Sequence, residues 1–591
     1  LTVVVRYPRV LAALAVAVAL GACAPGTRAA SPAGASLTAA SAPAPATVAA
    51  SEADAPAADD PAGPRYALIA PTAKSPVVHT GDDWTLPAWV RPAPFTGFFS
   101  EDASPANHVP VRSIDVTWRQ IAPTPDGPLD LNATGKAQGM RFEPLGEQLA
   151  ASGPYWVRIF ASGVDWAPAW VATTCHVKGI GPDYDHELHL PIWNDCVWSA
   201  LRDTWRKLLI DTGVLADPDF RFAYVPGAFT WVEFDYDIIS TAAARGLLTK
   251  DQYLTWYGHM LDDLAAIAGP QVGQLVFTGE DYPWGPFGGA ENLLAAAAVG
   301  RGFGVRTGIT EEFDFHLNET PAYGSRIEPD GHLTLTRADP TGLQAFATEN
   351  ECYRACGYHA KSLGYAIVHS NLKALQLQLN WLYVVPEDSY LSRYAAHWDW
   401  VRLELGQRPE TAADAWADLR DAQDTSWSDE AIPGRGWTRR PWVRNLERWL
   451  VQVDAPGAVS RRSKADVHKA DPTKENGTAY EGLRTDRASG NRSLAFRLDP
   501  RFLPGDAATP VLAKVTYLDK GKGSFRLRHP DGTTAAVTLR DSKKWRTATF
   551  ALALRPDHSL PSQTDLWIDV TGKVDLNVRF VRVVRLAAPA G

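Results

Sequence analysis

The chain has 591 residues, 45% of them hydrophobic and 21% charged, with 46 glycines and 44 prolines. That composition is globular and long enough for a large core and more than one domain, which excludes a wholly disordered or collagen-like chain. The net charge of −9 is uneven: residues 461–591 carry 24 Lys and Arg against 14 Asp and Glu, a net of +10, leaving −19 on the rest. Such asymmetry points to separate domains, the later one suited to anionic surroundings. The sequence has no zinc-finger, P-loop or dinucleotide fingerprint, so neither nucleic acid nor a cofactor is expected. Tryptophan is abundant (22) and methionine scarce (2). An indole combines a broad apolar face with one polar N–H, which fits a bulky core or platforms for stacking on sugars.

Residues 1–22 read as a targeting segment. Arg6 and Arg9 precede an apolar run, 10–19, too short to cross a bilayer as a stable helix. Leu20-Gly21-Ala22-Cys23 resembles the lipobox of bacterial lipoproteins. That resemblance implies cleavage before Cys23, a lipid on its thiol, and an exported protein anchored to the cell envelope membrane. Residues 23–64 are mostly Ala, Pro and Ser and read as a disordered tether.

Residues 65–440 read as repeated strand-then-helix units. Strands are expected at 95–100, 111–118, 155–162, 220–225, 272–278, 303–309, 343–348 and 377–384. Val197, Leu201, Trp205 and Leu208 share one face at helical spacing, and 254–268 forms another helix. Gly153, Gly213 and Gly269 stand where C-capping glycines belong. Eight strands alternating with helices predict a (β/α)8 TIM barrel with long loops. Its active site lies at the C-terminal strand ends, which nominates Trp118, Arg119, Asp165, Trp166, Trp170, Glu233, Glu280, Asp281, Glu311, Glu312, Glu349 and Trp381. Glu233 sits among the aromatics Phe229, Trp231 and Phe234. Apolar surroundings raise a carboxyl pKa, which suits a general acid; a loop carboxylate paired with an arginine is the plainer alternative.

IDVTWRQIAPTPDGPLDL (114–131) is similar to a segment near the start of clan A glycoside hydrolases, including β-galactosidase-like barrels, and VDWAPAW (164–170) resembles the segment after their third strand. The resemblance implies an acid/base glutamate after strand four and a nucleophile after strand seven. The matching positions are Glu233 and Glu349. The clan's asparagine before the acid/base is replaced here by Val232. Glu351 competes with Glu349, and the expected nucleophile is Glu349 because it directly follows the strand at 343–348. Sugar stacking is expected from Trp118, Trp166, Trp170, Trp231, Trp284 and Trp381.

With Cys23 lipidated, four cysteines remain for disulfides: Cys175, Cys196, Cys352 and Cys356. The first two flank one insertion and are expected to close it. The other two are four residues apart, too far for a bridge within a regular helix. A zinc site of Cys352, Cys356 and His359 is the minor alternative, and no metal is expected. Residues 430–455 form a Trp- and Arg-rich junction ending in NLERWLVQV, read as helical. From 441 to 591 short alternating runs predict an all-β sandwich. RTDRASGNRSLAFRL and VTYLDKG resemble jelly-roll, galactose-binding-like modules of bacterial glycosidases. Tyr517, Trp545 and Trp567 are its binding or core aromatics. The reading is a membrane-anchored retaining glycoside hydrolase acting on a poly- or oligosaccharide. The alternative is a non-catalytic carbohydrate-binding lipoprotein using the same cleft.

Overall fold

The computed structural model describes residues 66–100, 111–183, 186–227, 236–278, 290–309, 323–328, 331–335, 337, 342–349, 363–384, 391–421, 443–469, 478–558 and 564–589. Eight parallel strands form a barrel-like sheet: β1 (Gly97–Phe99), β2 (Arg112–Thr117), β3 (Tyr155–Phe160), β4 (Phe220–Val225), β5 (Leu275–Thr278), β6 (Gly304–Ile309), β7 (Phe346–Glu349) and β8 (Trp381–Tyr383). From β2 to β8 each pairs with its successor, and β8 returns to β1 through Trp381–Gly97 and Tyr383–Phe99. A single parallel bridge, Phe99 to Val111, links β1 towards β2 and completes the circle. Each of the eight strands overlaps its expected run, with several ends shifted by three or four residues.

Between the strands run α1 (Leu145–Ala150), α2 (Asp195–Arg206), α3 (Tyr236–Ala244), α4 (Lys250–Ala268), α5 (Ala290–Gly300) and α6 (Leu363–Gln376), with α7 (Ala395–Glu404) after β8. Helix α2 begins where the Asn194 side chain accepts from the N–H groups of Cys196 and Val197, and it buries Val197, Leu201 and Trp205. Helix α4 opens with a capping box between Thr249 and Gln252. Gly153, Gly213 and Gly269 all take positive φ. Among the described residues, the β6–β7 connection holds a small hairpin, Ser325–Ile327 with Leu333–Leu335, and no helix.

Strand residues alternate between two cores, as a period of two requires. Trp156, Phe160, Phe222, Tyr224, Ala347, Trp381 and Tyr383 fill the barrel interior. Tyr155, Val157, Ile159, Ala223, Val225, Phe346 and Leu382 pack outwards against the helices. Ala347 stands in register with Trp381, a small residue making room for a large one.

Two antiparallel sheets, of nine and six strands, share a second core. Val77–Thr80 adds an edge to the nine-stranded sheet, and Asp414–Asp418 and Arg420–Asp421 also pair into it. The β unit therefore recruits strands from before residue 441, and a cut at 440 divides it. The stretch expected to be helical is instead two strands. Leu446–Arg448 joins the nine-stranded sheet and Leu450–Val453 the six-stranded one, with Trp449 at φ 58° turning the chain between them. The barrel and the sheets meet over Trp84, Trp400, Trp416 and Phe580, with Trp84 4.8 Å from Trp400 and 5.4 Å from Phe580 between ring centroids.

Candidate functional site

Parallel strands bring all their C-terminal ends to one rim, so the mouth is set by where each strand stops. β7 ends on Glu349, whose backbone pairs with Ile309 at the end of β6. Glu349 is thus the last strand residue, one step earlier than the expected strand at 343–348 implied. Its side chain lies outside the described residues. So do Glu233, Trp231, Trp284, Glu280, Asp281, Glu311, Glu312, Glu351, Cys352, Cys356, His359 and Cys23.

The described tryptophans correct the stacking expectation. Trp118 is fully buried and donates its indole N–H to Thr204 Oγ1 at 2.8 Å, tying the end of β2 to α2. Trp166 is buried edge-on to Phe160 and His189 at 5.5 and 5.4 Å. It lies so close to Gly163 that a Cβ there would meet the ring at 2.5 Å. Trp381 is buried inside the barrel against Phe222 and Phe95. Rings closed on both faces by protein offer no platform to a sugar. Trp170 is half-buried and donates to the Ala122 carbonyl at 3.1 Å. In the β unit Tyr517 and Trp545 are core, while Trp567 is half-buried with Arg528 over its ring at 4.0 Å.

The disulfide Cys175–Cys196 closes the insertion after β3, as its flanking position implied. The insertion is also held by a buried hydrogen-bond chain that sequence reasoning missed. His189 Nδ1 lies 2.8 Å from Ser162 Oγ and Nε2 2.6 Å from Asp183 Oδ2. The carboxylate can only accept, so Nε2 carries a proton towards Asp183, while the serine hydroxyl partners Nδ1 on the other side of the ring. All three residues are buried, so the chain fixes the loop at the strand end and presents no open nucleophile. Nearby, Glu187 Oε1 accepts from the Asp165 N–H at 3.0 Å, and burial raises the Glu187 pKa. Only the spacing within HELHLP could have hinted at His189.

Among the described residues, Arg158 and Arg306 stand in the interior. Arg158 forms a two-pronged pair with Asp115 on the neighbouring strand, Nε–Oδ1 2.9 Å and Nη2–Oδ2 3.0 Å, and lies over the rings of Trp156 and Phe160. Arg306 lies over Tyr224 at 5.6 Å. A signal existed for the first pair: one charge inside each apolar run, SIDVT and YWVRIF, at positions that pair in register. The candidate site thus combines a rim that carries the Glu349 strand end with a buried aromatic interior holding Arg158 and Arg306. In comparisons with known proteins, the sequence matches no family model and no curated relative.

Proposed function

We propose that the chain is a retaining glycoside hydrolase acting on a poly- or oligosaccharide. Its barrel belongs to the (β/α)8 type and its β unit is a jelly-roll module. Glu349 is the nucleophile and Glu233 the acid/base, with the lipid anchor on Cys23 holding the enzyme at the cell envelope. The observation that supports this is the position of Glu349 at the C-terminal end of the seventh strand of an eight-stranded parallel ring. Glu233 follows the fourth strand in sequence, and strands four and seven stand three places apart in the ring. Retention needs two carboxyls about 5–5.5 Å apart, one to attack the anomeric carbon and one to protonate the leaving oxygen. Loops from strands four and seven can meet that separation across one mouth.

The proton balance fits the roles. The acid must be protonated when the nucleophile is ionised, so their surroundings must differ. Phe229, Trp231 and Phe234 flank Glu233 in sequence and would favour its neutral form. The test is a glycoside screen with the full chain, repeated on Glu233→Gln and Glu349→Ala. Loss of turnover in both, with Glu233→Gln retaining activity on substrates whose leaving group needs no protonation, supports the reading. Binding of sugars with no turnover by the unaltered chain would transfer the site to a non-catalytic binder.

A further inference from the structure

The net positive charge of residues 461–591 falls into two groups. Lys514, Arg579 and Arg582 are buried at the seam and pair with Asp83, Asp82 and Asp414, acids that lie outside that stretch. Buried pairs of this kind brace the two units and present no charge to solvent. A second group faces outward at one tip of the β unit. Lys520 and Lys522 stand on the turn between the strands Thr509–Leu518 and Gly523–His529, and Lys543 and Lys544 on the approach to the strand Trp545–Leu554. Arg540 precedes that approach, and Lys573 follows the strand Leu566–Gly572. All six are exposed.

These turns meet in space. The Asp519 N–H donates to the Lys544 carbonyl at 2.9 Å, and the Lys543 N–H donates to the Asp519 carbonyl at 2.7 Å. Gly523 stands in register with Gly572, and a Cβ on Gly521 would meet the Val574 side chain at 2.9 Å. Two of the nearby acids have an arginine of their own. Asp519 is buried, accepts from the Ser542 hydroxyl at 2.6 Å and the Arg540 N–H at 2.7 Å, and has Arg546 at 3.8 Å. Asp575 pairs with Arg484 at 3.4 Å. Asp541 is the exposed acid of the tip, and it accepts from the Gly521 N–H at 2.7 Å. Among the described residues none of the six cations enters a side-chain ion pair, so the tip carries a strong positive excess.

The same end receives the chain from its N-terminal side. Tyr66, the first described residue, donates its hydroxyl to the Thr80 carbonyl at 2.7 Å and stacks on His79 at 3.9 Å between ring centroids. Thr80 stands in register with Arg546, and the Gly81 N–H donates to the Trp545 carbonyl at 3.0 Å. Trp545 directly follows Lys543 and Lys544. The Ala-, Pro- and Ser-rich stretch 23–64 therefore joins the folded protein beside the basic tip.

We propose that this basic tip docks on anionic lipid headgroups, a second membrane contact beside the lipid on Cys23. The proposal rests on the anchored reading given above. A single acyl chain holds a protein at a bilayer only marginally, and a polybasic patch supplies the second signal. Each Lys or Arg held near an anionic bilayer strengthens binding about fivefold. A tether that leaves from the same end makes the contact intramolecular, so individually weak charges suffice. Two contacts also fix one orientation, which a tether alone leaves open. An anionic polysaccharide would satisfy the same charges, but the place where the tether joins favours the bilayer.

The experiment is sedimentation of the full chain with vesicles of phosphatidylcholine, alone or with about one third phosphatidylglycerol. Neutral vesicles read the anchor, and the gain with phosphatidylglycerol reads the tip. That gain should be at least about tenfold at low salt and should fall steeply as salt rises, a reading that needs no variant. Lys520→Gln, Lys522→Gln, Lys543→Gln and Lys544→Gln together should remove most of the gain and leave binding to neutral vesicles unchanged. Lys136→Gln, Lys178→Gln, Lys250→Gln and Arg402→Gln together, at exposed residues of the barrel, should leave the gain intact. A gain that is absent, indifferent to salt, or equal in the two variants would overturn the proposal. So would binding of a soluble polyuronate with no gain from phosphatidylglycerol, which would assign the tip to an anionic polysaccharide. Failure to bind neutral vesicles, with the gain intact, would remove the anchor on Cys23 and support the tip as the membrane contact.

Discussion

Glu404 and Asp414 form a buried carboxyl pair at the seam, and their unequal roles make a sharp prediction. Asp414 Oδ2 takes hydrogen bonds from Arg582 Nε at 2.7 Å, from the second Arg582 nitrogen Nη2, and from Trp400 Nε1 at 3.1 Å. Glu404 Oε2 takes one from Arg448 at 3.3 Å. Glu404 Oε1 and Asp414 Oδ1 have no donor among the described residues. Burial, and then the charge of Asp414, raise the Glu404 pKa well above its usual value. A proton held by Glu404 and shared with Asp414 satisfies both oxygens at once. Glu404→Gln keeps the donor towards Asp414 and the acceptor towards Arg448, so it should cost less than about 1 kcal/mol. Asp414→Asn removes the negative partner of the buried Arg582 and should cost about 3–5 kcal/mol. The raised Glu404 pKa favours the folded state most below the ordinary carboxyl range, and that gain is lost as pH rises through the folded value. Glu404→Gln should therefore gain stability relative to the unaltered chain as pH rises. Urea unfolding at several pH values reads both effects. Equal costs for the two substitutions would refute the shared proton and mean that both carboxyls are ionised.

Other outcomes follow from the same geometry. Replacing Cys175 and Cys196 together by serine opens a loop spanning 21 residues and should lower stability by about 3 kcal/mol in denaturant titration. Trp118→Ala should cost about 3–5 kcal/mol in the same assay while leaving sugar affinity unchanged, because the ring is core. Burial pushes the His397 pKa down from 6.5 to about 3, so its stabilising effect is present above pH 6.5 and lost as pH falls towards 3. Between pH 6.5 and 5 the unaltered chain should lose about 2 kcal/mol relative to a His397→Asn variant. Equal slopes for the two proteins would mean that the ring is already charged or exposed.

The barrel strands were legible because each is a short apolar run bounded by turn residues. Their ends were less so. The expected strand at 377–384 begins four residues early, since Leu377 and Leu379 are buried in the turn leaving α6, where Gln378 takes φ 53°. NLERWLVQV was misread because its apolar positions fit a helix as well as two short strands. Only the corner at Trp449, set by pairing with distant strands, decides between them. The same long-range pairing hid the membership of Val77–Thr80 and Asp414–Asp418 in the β unit. At the candidate site, the position of Glu349 at a strand end was legible from the apolar run before it. The tryptophans misled because an indole's composition signal is the same in a core and on a platform.

The central claim is that Glu349 attacks the anomeric carbon. On the proposed mechanism, a fluorosugar of the configuration picked out by the glycoside screen should trap a glycosyl-protein adduct, and peptide mapping should find the label on Glu349. A label on Glu280, Glu311, Glu312 or Glu351, or no label with any sugar that binds, would contradict it.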